Sequence, residues 1–229
     1  MYKYKNSFTV YEVILVIVII AVLALFIAPR FHKNPQLLLA NQLLDHIRYT
    51  QHLAMIDDKF DPNNNEWYKE RWQIRFFKKK YASRDLQTSK FAYAIFSDKD
   101  VGSGYDGNPN ATTGEVAVDP ITHKLISGGF TIYYDDPKTY KKAAIGEEYG
   151  VVDVKFFGGC SGKRISFDAL GRPYKGSVAT MSEAYQKNRL IHSECKIRVC
   201  FDDKDTCRRY FIIAIQPETG FSYIKKIID

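Results

Sequence analysis

An apolar run from Phe8 to Ala28 is the feature that most constrains how this chain can fold. Glu12 is the only charged residue in the run. As a helix rising 1.5 Å per residue, the run would be roughly 31 Å long, about the thickness of a bilayer's hydrocarbon core. It is longer than the apolar region of a removable secretory signal, and no Ala-x-Ala site ends it. The run therefore predicts a permanent transmembrane helix.

The flanking sequence divides the chain further. Residues 1–7 form a short leader with two lysines and no acidic residue. Beyond the apolar run, Pro29 predicts a kink, because proline removes one helical hydrogen bond and clashes with the preceding turn. Apolar residues then recur at helical spacing to about Asp57, which predicts an amphipathic half of the helix over residues 29–57. The apolar stripe is formed by Leu37, Leu44, Ile47 and Ala54, with Leu39, Leu43 and Leu53 beside it.

From Glu66 onward, after a turn-rich stretch, short β-branched and aromatic runs alternate with turn residues, which predicts strands. A long loop rich in Gly, Asp, Asn and Pro runs from Asp98 to about Gly128. The prediction is an α+β fold in which one long N-terminal helix precedes an antiparallel β-rich globular domain over residues 58–229. The candidate strands are Trp72–Phe77, Phe91–Phe96, Phe130–Tyr134, Val151–Phe157, Arg164–Asp168, Lys196–Phe201, Arg208–Ile215 and Phe221–Ile227.

Glu12 is a candidate functional residue because a carboxylate inside a membrane span is costly. Insertion scales put the cost at the centre of a span at about 2.5–3.5 kcal/mol. The span has no cationic side chain to pair with it. A protonated α-amino group at the start of the span would serve as a partner, and this requires cleavage just before Phe8.

The start of the chain resembles the class III signal of type IV prepilins and pseudopilins, carried by residues 7–12 (Ser-Phe-Thr-Val-Tyr-Glu) and the apolar run. The resemblance implies that a prepilin peptidase cuts between Ser7 and Phe8 and methylates the amine of Phe8. Glu12 becomes the fifth mature residue, the glutamate that pairs with a neighbouring subunit's amine during assembly. Pro29 matches the family's helix-kinking proline. The family usually has Gly where this chain has Ser7.

Three further stretches resemble the H-type (FimT-like) minor pseudopilins and minor pilins. They are the polar-faced helix over residues 41–58, the strand and turn over residues 165–172, and a closing hairpin over residues 211–224 with a Thr-Gly turn. DNA-binding members of that group carry Gly-Arg-x-Arg at the final turn. This chain has Gly220-Phe-Ser-Tyr there, so the resemblance does not supply the DNA-binding arginines.

The resemblance implies a minor pseudopilin or pilin-like subunit of a type II secretion, type IV pilus or DNA-uptake system, and not an enzyme. It implies a single-pass inner-membrane location with the C-terminal domain in the periplasm, followed by incorporation into a filament. The implied partners are the prepilin peptidase, other pilins or pseudopilins, and the inner-membrane assembly platform. One alternative is a DNA-capturing tip pilin that uses the last third, where residues 151–229 carry 14 basic against 9 acidic side chains. Another is a membrane-anchored periplasmic binding protein.

Four cysteines, Cys160, Cys195, Cys200 and Cys207, lie far beyond the apolar run. Outside the cytoplasm they predict two disulfides, with three possible connectivities. The turn-like residues 201–206 favour a Cys200–Cys207 pair, which leaves Cys160 for Cys195. With His192, the last three cysteines have the residue types of a zinc site, but disulfides are the favoured interpretation and no metal site is predicted.

The loop from Asp98 to Asn108 has the glycines and carboxylates that suit a calcium site. It lacks the third ligand and the distal glutamate of an EF-hand. A surface turn cluster is therefore the favoured interpretation, and no cofactor is expected.

Overall fold

Two α-helices occupy the N-terminal part of the chain in the computed structural model, which describes residues 9–27, 34–81, 87–102 and 104–228. Helix α1 spans Val10–Ile27 and helix α2 spans Pro35–Ile56. They belong to two separate compact units, Met1–Asn34 and Pro35–Asp229. The second unit also holds the short helix α3 (Ile145–Glu148) and all the strands described below.

The prediction of one long N-terminal helix is wrong, because the described residues form α1 and α2 as separate helices. Asn34 is not helical, and it precedes Pro35. A residue before proline disfavours the helical backbone, whereas proline itself suits the first position of a new helix. The predicted kink at Pro29 lies outside the described residues.

The prediction of a single-pass inner-membrane location, with a periplasmic C-terminal domain, is also wrong. Helix α1 has 18 residues. At 1.5 Å per residue it is roughly 27 Å long, somewhat less than the ~30 Å thickness of a bilayer's hydrocarbon core. Within the part of the chain that the structure describes, no helix combines the length and apolarity needed to cross a membrane.

The described strands form two four-stranded antiparallel sheets, ordered β2-β1-β4-β5 and β3-β6-β7-β8. Each strand alternates its side chains between the two faces of its sheet. The strands are β1 (Gln73–Tyr81), β2 (Gln87–Phe96), β3 (Asp153–Gly158), β4 (Arg164–Phe167), β5 (Pro173–Lys175), β6 (Cys195–Cys200), β7 (Tyr210–Ile215) and β8 (Ser222–Ile228).

All but one of the predicted strands correspond to a strand of these sheets, and the exception is Phe130–Tyr134. Thr131 has a φ of 56° in the left-handed region, which a β-branched residue in a strand does not adopt. Phe130 instead packs edge-on against Phe77 of β1, with ring centroids 5.2 Å apart. Strand β5 was not predicted, because it is short and begins with Pro173.

Helix α2 packs against both sheets and carries much of the core. Leu39, Leu43 and Ile47 are fully buried, as the predicted stripe requires, whereas Leu37 is 45% exposed. Burying each such side chain contributes about 1.5–3 kcal/mol. The same core contains buried residues of the sheets, including Ile74, Phe76, Tyr93, Ile95, Ile165, Phe167, Ile197, Val199, Phe211, Ile213 and Ile215.

Candidate functional site

Helix α1 begins with a reciprocal pair of side-chain caps between Thr9 and Glu12. The carboxylate of Glu12 accepts hydrogen bonds from the backbone N–H (2.8 Å) and hydroxyl (2.9 Å) of Thr9. The backbone N–H of Glu12 donates to Oγ1 of Thr9 at 3.3 Å. This is a capping box, and its sequence signal, Thr-x-x-Glu before an apolar run, was overlooked in the sequence prediction. The predicted cleavage and methylation positions, Ser7 and Phe8, lie outside the described residues.

The large apolar side chains of α1 from Val10 to Leu23 are all exposed. The exposed fraction is 78% for Val10, 60% for Ile17 and 51% for Leu23. An apolar surface of this extent marks an interaction site in a folded protein. Since the helix is apolar on every side, a partner is expected to surround it and not to cover a single stripe.

Both predicted disulfides are present in the structure. Cys160 follows β3 and joins Cys195 at the start of β6, 35 residues along the chain. Cys200 at the end of β6 joins Cys207, which precedes β7. The two bonds therefore tie both ends of β6 to its neighbouring connections.

Two carboxylates of the loop from Asp98 to Asn108, which the sequence predicts to be a surface turn cluster, accept hydrogen bonds from the loop's own backbone. Asp98 accepts from the N–H of Gly107 at 2.7 Å, and Asp100 accepts from Gly102 and Gly104 at 2.8 and 2.9 Å. Among the described residues, no group of three or more His, Cys, Asp or Glu side chains is placed to hold a metal ion. The loop is thus built by its own side chains as a turn cluster.

Gln51 of α2 joins the three stretches that carry the H-type resemblance. Its amide nitrogen donates to the carbonyl oxygen of Gly171 at 2.9 Å and to that of Thr219 at 2.8 Å. These two carbonyls belong to two turns, and each turn contains a glycine in the left-handed region, Gly171 (φ 77°) and Gly220 (φ 66°). A Cβ on Gly220 would lie 2.4 Å from the carbonyl oxygen of Gly171, so the two turns pack too closely for a larger residue.

Basic and aromatic side chains share one face of the second sheet. Lys155, Arg198 and Lys226 stand in one cross-strand row, because Lys155 pairs with Arg198, and Arg198 and Lys226 both oppose Ile212. The alternate residues of these strands point into the core, so this row lies on the opposite face. The neighbouring rows add Lys196 above the ring of Phe157, and Arg198 and Lys226 both lie near the ring of Tyr210.

A polar network that sequence analysis missed joins α2 to strand β2 and to the segment between Lys142 and Tyr149. Gln42 donates through its amide nitrogen to the hydroxyl of Tyr93 (2.7 Å) and to the carbonyl of Lys142 (2.9 Å). Its amide oxygen accepts from the hydroxyl of Tyr149 at 2.6 Å. The partners come from two distant parts of the chain, β2 and the segment between Lys142 and Tyr149, so the only local signal was the i, i+4 spacing of Gln42 and His46 on α2.

His46 continues this network. Its Nδ1 lies 2.7 Å from the hydroxyl of Tyr93, which is fully buried and already accepts from Gln42. Tyr93 can donate its one hydroxyl proton to Nδ1, in the tautomer that carries the proton of neutral His46 on Nε2. That nitrogen lies 3.9 Å from the carboxylate of Asp119. Burial lowers the pKa of His46 to about 4, although the charges of Asp119 and Asp45 oppose the shift.

Comparison with protein-family models, curated proteins and solved structures finds no match to this chain. The contacts that bear on function are therefore those of its own residues. In the part of the chain that the structure describes, four features bear on function: the capped and exposed helix α1, the turns joined by Gln51, the basic face of the second sheet, and the polar network beside α2.

Proposed function

We propose that the chain is a minor pseudopilin or pilin-like subunit that assembles with other such subunits through α1. The observation that carries the proposal is the exposure of large apolar side chains on every side of α1. In a filament the α1 helices of several subunits surround one another, so each helix loses its contact with water. Burial of each large side chain contributes about 1.5–3 kcal/mol.

The position of Glu12 supports this proposal. Its carboxylate lies in the first turn of α1. In the proposal, cleavage after Ser7 gives Phe8 a new amino group, and the carboxylate of one subunit pairs with the amine of its neighbour. The capping box orients that carboxylate toward the helix N-terminus before assembly.

The packing around Gln51 supports the H-type branch of the proposal. The three stretches of the resemblance are far apart in sequence, yet Gln51 contacts the other two through a single amide. The closing stretch forms the antiparallel hairpin of β7 and β8 that the resemblance implies. Prepilin peptidase, other pilin-like subunits and an assembly platform are the proposed partners.

The test follows processing and assembly of the full chain in cells that also produce its proposed partners. Intact-mass analysis should show loss of residues 1–7 and one added methyl group on Phe8. A photo-crosslinking amino acid at Ile17 should give a ladder of higher-mass species, and the same crosslinker in a Glu12→Ala chain should not. A mature chain that still begins at Met1, or a ladder unaffected by Glu12→Ala, would contradict the proposal.

The basic face of the second sheet favours a second candidate function, capture of DNA by a tip pilin. Cationic side chains interleaved with aromatic rings are the arrangement by which proteins bind single strands. Replacing Arg198 and Lys226 by glutamine should weaken binding of a labelled single-stranded oligonucleotide and reduce its salt slope by about 0.7 per lost phosphate contact. Lys124→Gln with Lys138→Gln removes the same charge elsewhere and is the control. If the two double substitutions weaken binding equally, this face has no specific role.

A further inference from the structure

A cavity of about 360 Å³ lies beside α2, within the second unit. Its size falls at the lower end of the range for small-molecule pockets. One wall is a stripe of α2, and the others come from residues 119–121 and from the segment between Tyr140 and Tyr149. It is lined by Leu38, Gln42, Asp45, His46, Tyr49, Asp119, Pro120, Ile121, Tyr140, Lys142 and Tyr149.

Three tyrosine rings contribute aromatic surface to this cavity. The hydroxyl of Tyr49 donates to the carbonyl of Val118 at 2.9 Å, and that of Tyr149 donates to Gln42. The ring of Tyr140 lies 5.3 Å from the ring of His46, centroid to centroid. Because these contacts hold the rings in place, the aromatic surface is formed before any ligand enters. Aromatic rings attract cations through their quadrupole.

The carboxylates of the cavity outnumber its cations. Asp45 and Asp119 face one lysine, Lys142, whose backbone carbonyl is bound by Gln42 and whose side chain is exposed. His46 adds no charge at neutral pH, because burial lowers its pKa to about 4. Burial opposes the ionisation of Asp119, but hydrogen bonds from Thr122 prevail and lower its pKa.

Burial and the charge of Asp119 both act on the tyrosines of the cavity. Burial, and after it the charge of Asp119, raises the pKa of Tyr140 to about 12 and raises the pKa of Tyr49. Burial disfavours a charge of either sign, so only the second cause, the charge of Asp119, also favours a cation in the same place. The carboxylate of Asp119 is 3.9 Å from Nε2 of His46, too far for a short hydrogen bond between them.

We propose that this cavity binds an organic cation, an alkylammonium or guanidinium group, between the tyrosine rings and the carboxylates of Asp45 and Asp119. The cation would donate to a carboxylate and lie against the rings, and the apolar Leu38 and Ile121 would contact its alkyl chain. The group belongs either to a free amine or to a basic side chain of another protein. This binding does not depend on filament assembly.

The experiment titrates the full chain, in a non-ionic detergent, with n-butylammonium and n-butylguanidinium, and with n-butanol as the neutral control. The readout is the ring signals of ¹³C-labelled tyrosine, assigned with Tyr140→Phe and Tyr149→Phe chains. The two cations should shift these signals to saturation, and butanol should not. Saturation by butanol at equal concentration, or no saturation by either cation, would overturn the proposal.

Charge variants identify the carboxylates. Asp119→Asn and Asp45→Asn should each weaken cation binding by about two- to fivefold, as expected for loss of a partly screened ion pair. Asp45 is exposed, so its variant tests the proposal even if Asp119→Asn disturbs the loop. Asp205→Asn removes an exposed carboxylate outside the cavity and should leave affinity unchanged. Equal affinity in all three variants would refute the assignment.

A capped tripeptide with a central lysine distinguishes the two sources of the cation. Binding at least as tight as that of butylammonium would identify a protein side chain as the ligand. Binding of butylammonium alone would identify a free amine, because the flanking peptide does not fit. Either result supports a cation site, whereas failure of all the cationic probes would contradict it without affecting the proposed assembly through α1.

Discussion

At the residue scale, Glu12 has two roles to consider, a helix cap and one partner of an ion pair. The free-energy cost of losing each role differs. Losing a helix cap costs about 0.5–2 kcal/mol, whereas removing one partner of a buried ion pair costs about 3–5 kcal/mol. The capping box forms in the single chain. The ion pair exists only in the proposed filament.

Substitutions at Glu12 and Thr9 separate these roles. Glu12→Gln keeps an acceptor for the N–H of Thr9 but removes the charge, so we expect it to reduce the crosslinked ladder strongly, though less than Glu12→Ala. Thr9→Ala removes the cap and keeps the carboxylate, so we expect nearly normal assembly. Quantified crosslinking at Ile17 measures all three. Normal assembly of Glu12→Gln together with a defect in Thr9→Ala would show that Glu12 acts as a cap.

His46 should make the folded state sensitive to acid. Its folded pKa of about 4 lies below the unfolded value of 6.5, so the unfolded chain binds the proton more readily between these values. Stability is therefore lost as the pH falls from about 6.5 to 4, by up to about 3 kcal/mol. In urea unfolding at pH 7 and pH 4.5, His46→Gln should lose less stability on acidification than wild type. Parallel pH profiles would contradict this prediction.

Asp98 should act in the opposite direction over nearly the same pH range. Burial raises its pKa to about 6, so the folded state holds a proton that the unfolded state releases. This contribution to stability is present at low pH and is lost as the pH rises from about 4 to 6. Relative to wild type, Asp98→Asn should therefore gain stability as the pH rises from 4 to 7. An unchanged difference in unfolding free energy between the two chains would disprove it.

At the scale of elements, Gln51 holds α2 to the two turns that flank it. Gln51→Glu keeps the shape of the side chain but replaces a donor with an acceptor facing the carbonyls of Gly171 and Thr219. We expect a loss of about 1–3 kcal/mol of unfolding free energy in urea. His52→Ala changes the adjacent, exposed position of α2 and should cost little. Equal losses in the two variants would rule out the bridging role.

The two disulfides should differ in their contribution to stability. Cys160–Cys195 closes the longer loop, with a separation of 35 residues against 7 for Cys200–Cys207. Chain-entropy estimates give about 4 kcal/mol for the longer loop and about 2–3 kcal/mol for the shorter one. In urea, the Cys160→Ala/Cys195→Ala variant should therefore lose more unfolding free energy than the Cys200→Ala/Cys207→Ala variant. The fully reduced wild-type chain, which lacks both bonds, should lose the most. The reverse order would show that loop length does not determine their effect.

At the scale of the whole molecule, we expect stability to reside in the unit Pro35–Asp229 and self-association to require the unit that contains α1. The unit Pro35–Asp229 contains the core, both sheets and both disulfides. A chain that lacks residues 1–34 should unfold in one cooperative step, with an unfolding free energy within about 0.5 kcal/mol of the full chain. In sedimentation it should remain monomeric without detergent, whereas the full chain should self-associate. Self-association of the shortened chain would place the contact outside α1.

Local patterns predicted much of this fold because the forces behind them act between near neighbours. Runs of β-branched and aromatic residues located β1 and β7, and the turn between Cys200 and Cys207 indicated the pairing of these two cysteines. The break between α1 and α2 was also readable, since the residue before Pro35 disfavours a helix, but it was overlooked. So was the capping box of Thr9 and Glu12.

The sequence by itself determined the apolar helix α1, the amphipathic face of α2 and the antiparallel strands, because each depends on the spacing of residues close along the chain. Only the tertiary structure decided that Gln51 meets Gly171 and Thr219, and that His46 meets Tyr93 and Asp119. These contacts join residues that are separated by dozens of positions, and no local spacing encodes them. They form because the packing of α2 against both sheets brings those positions together and leaves each buried polar group in need of a partner.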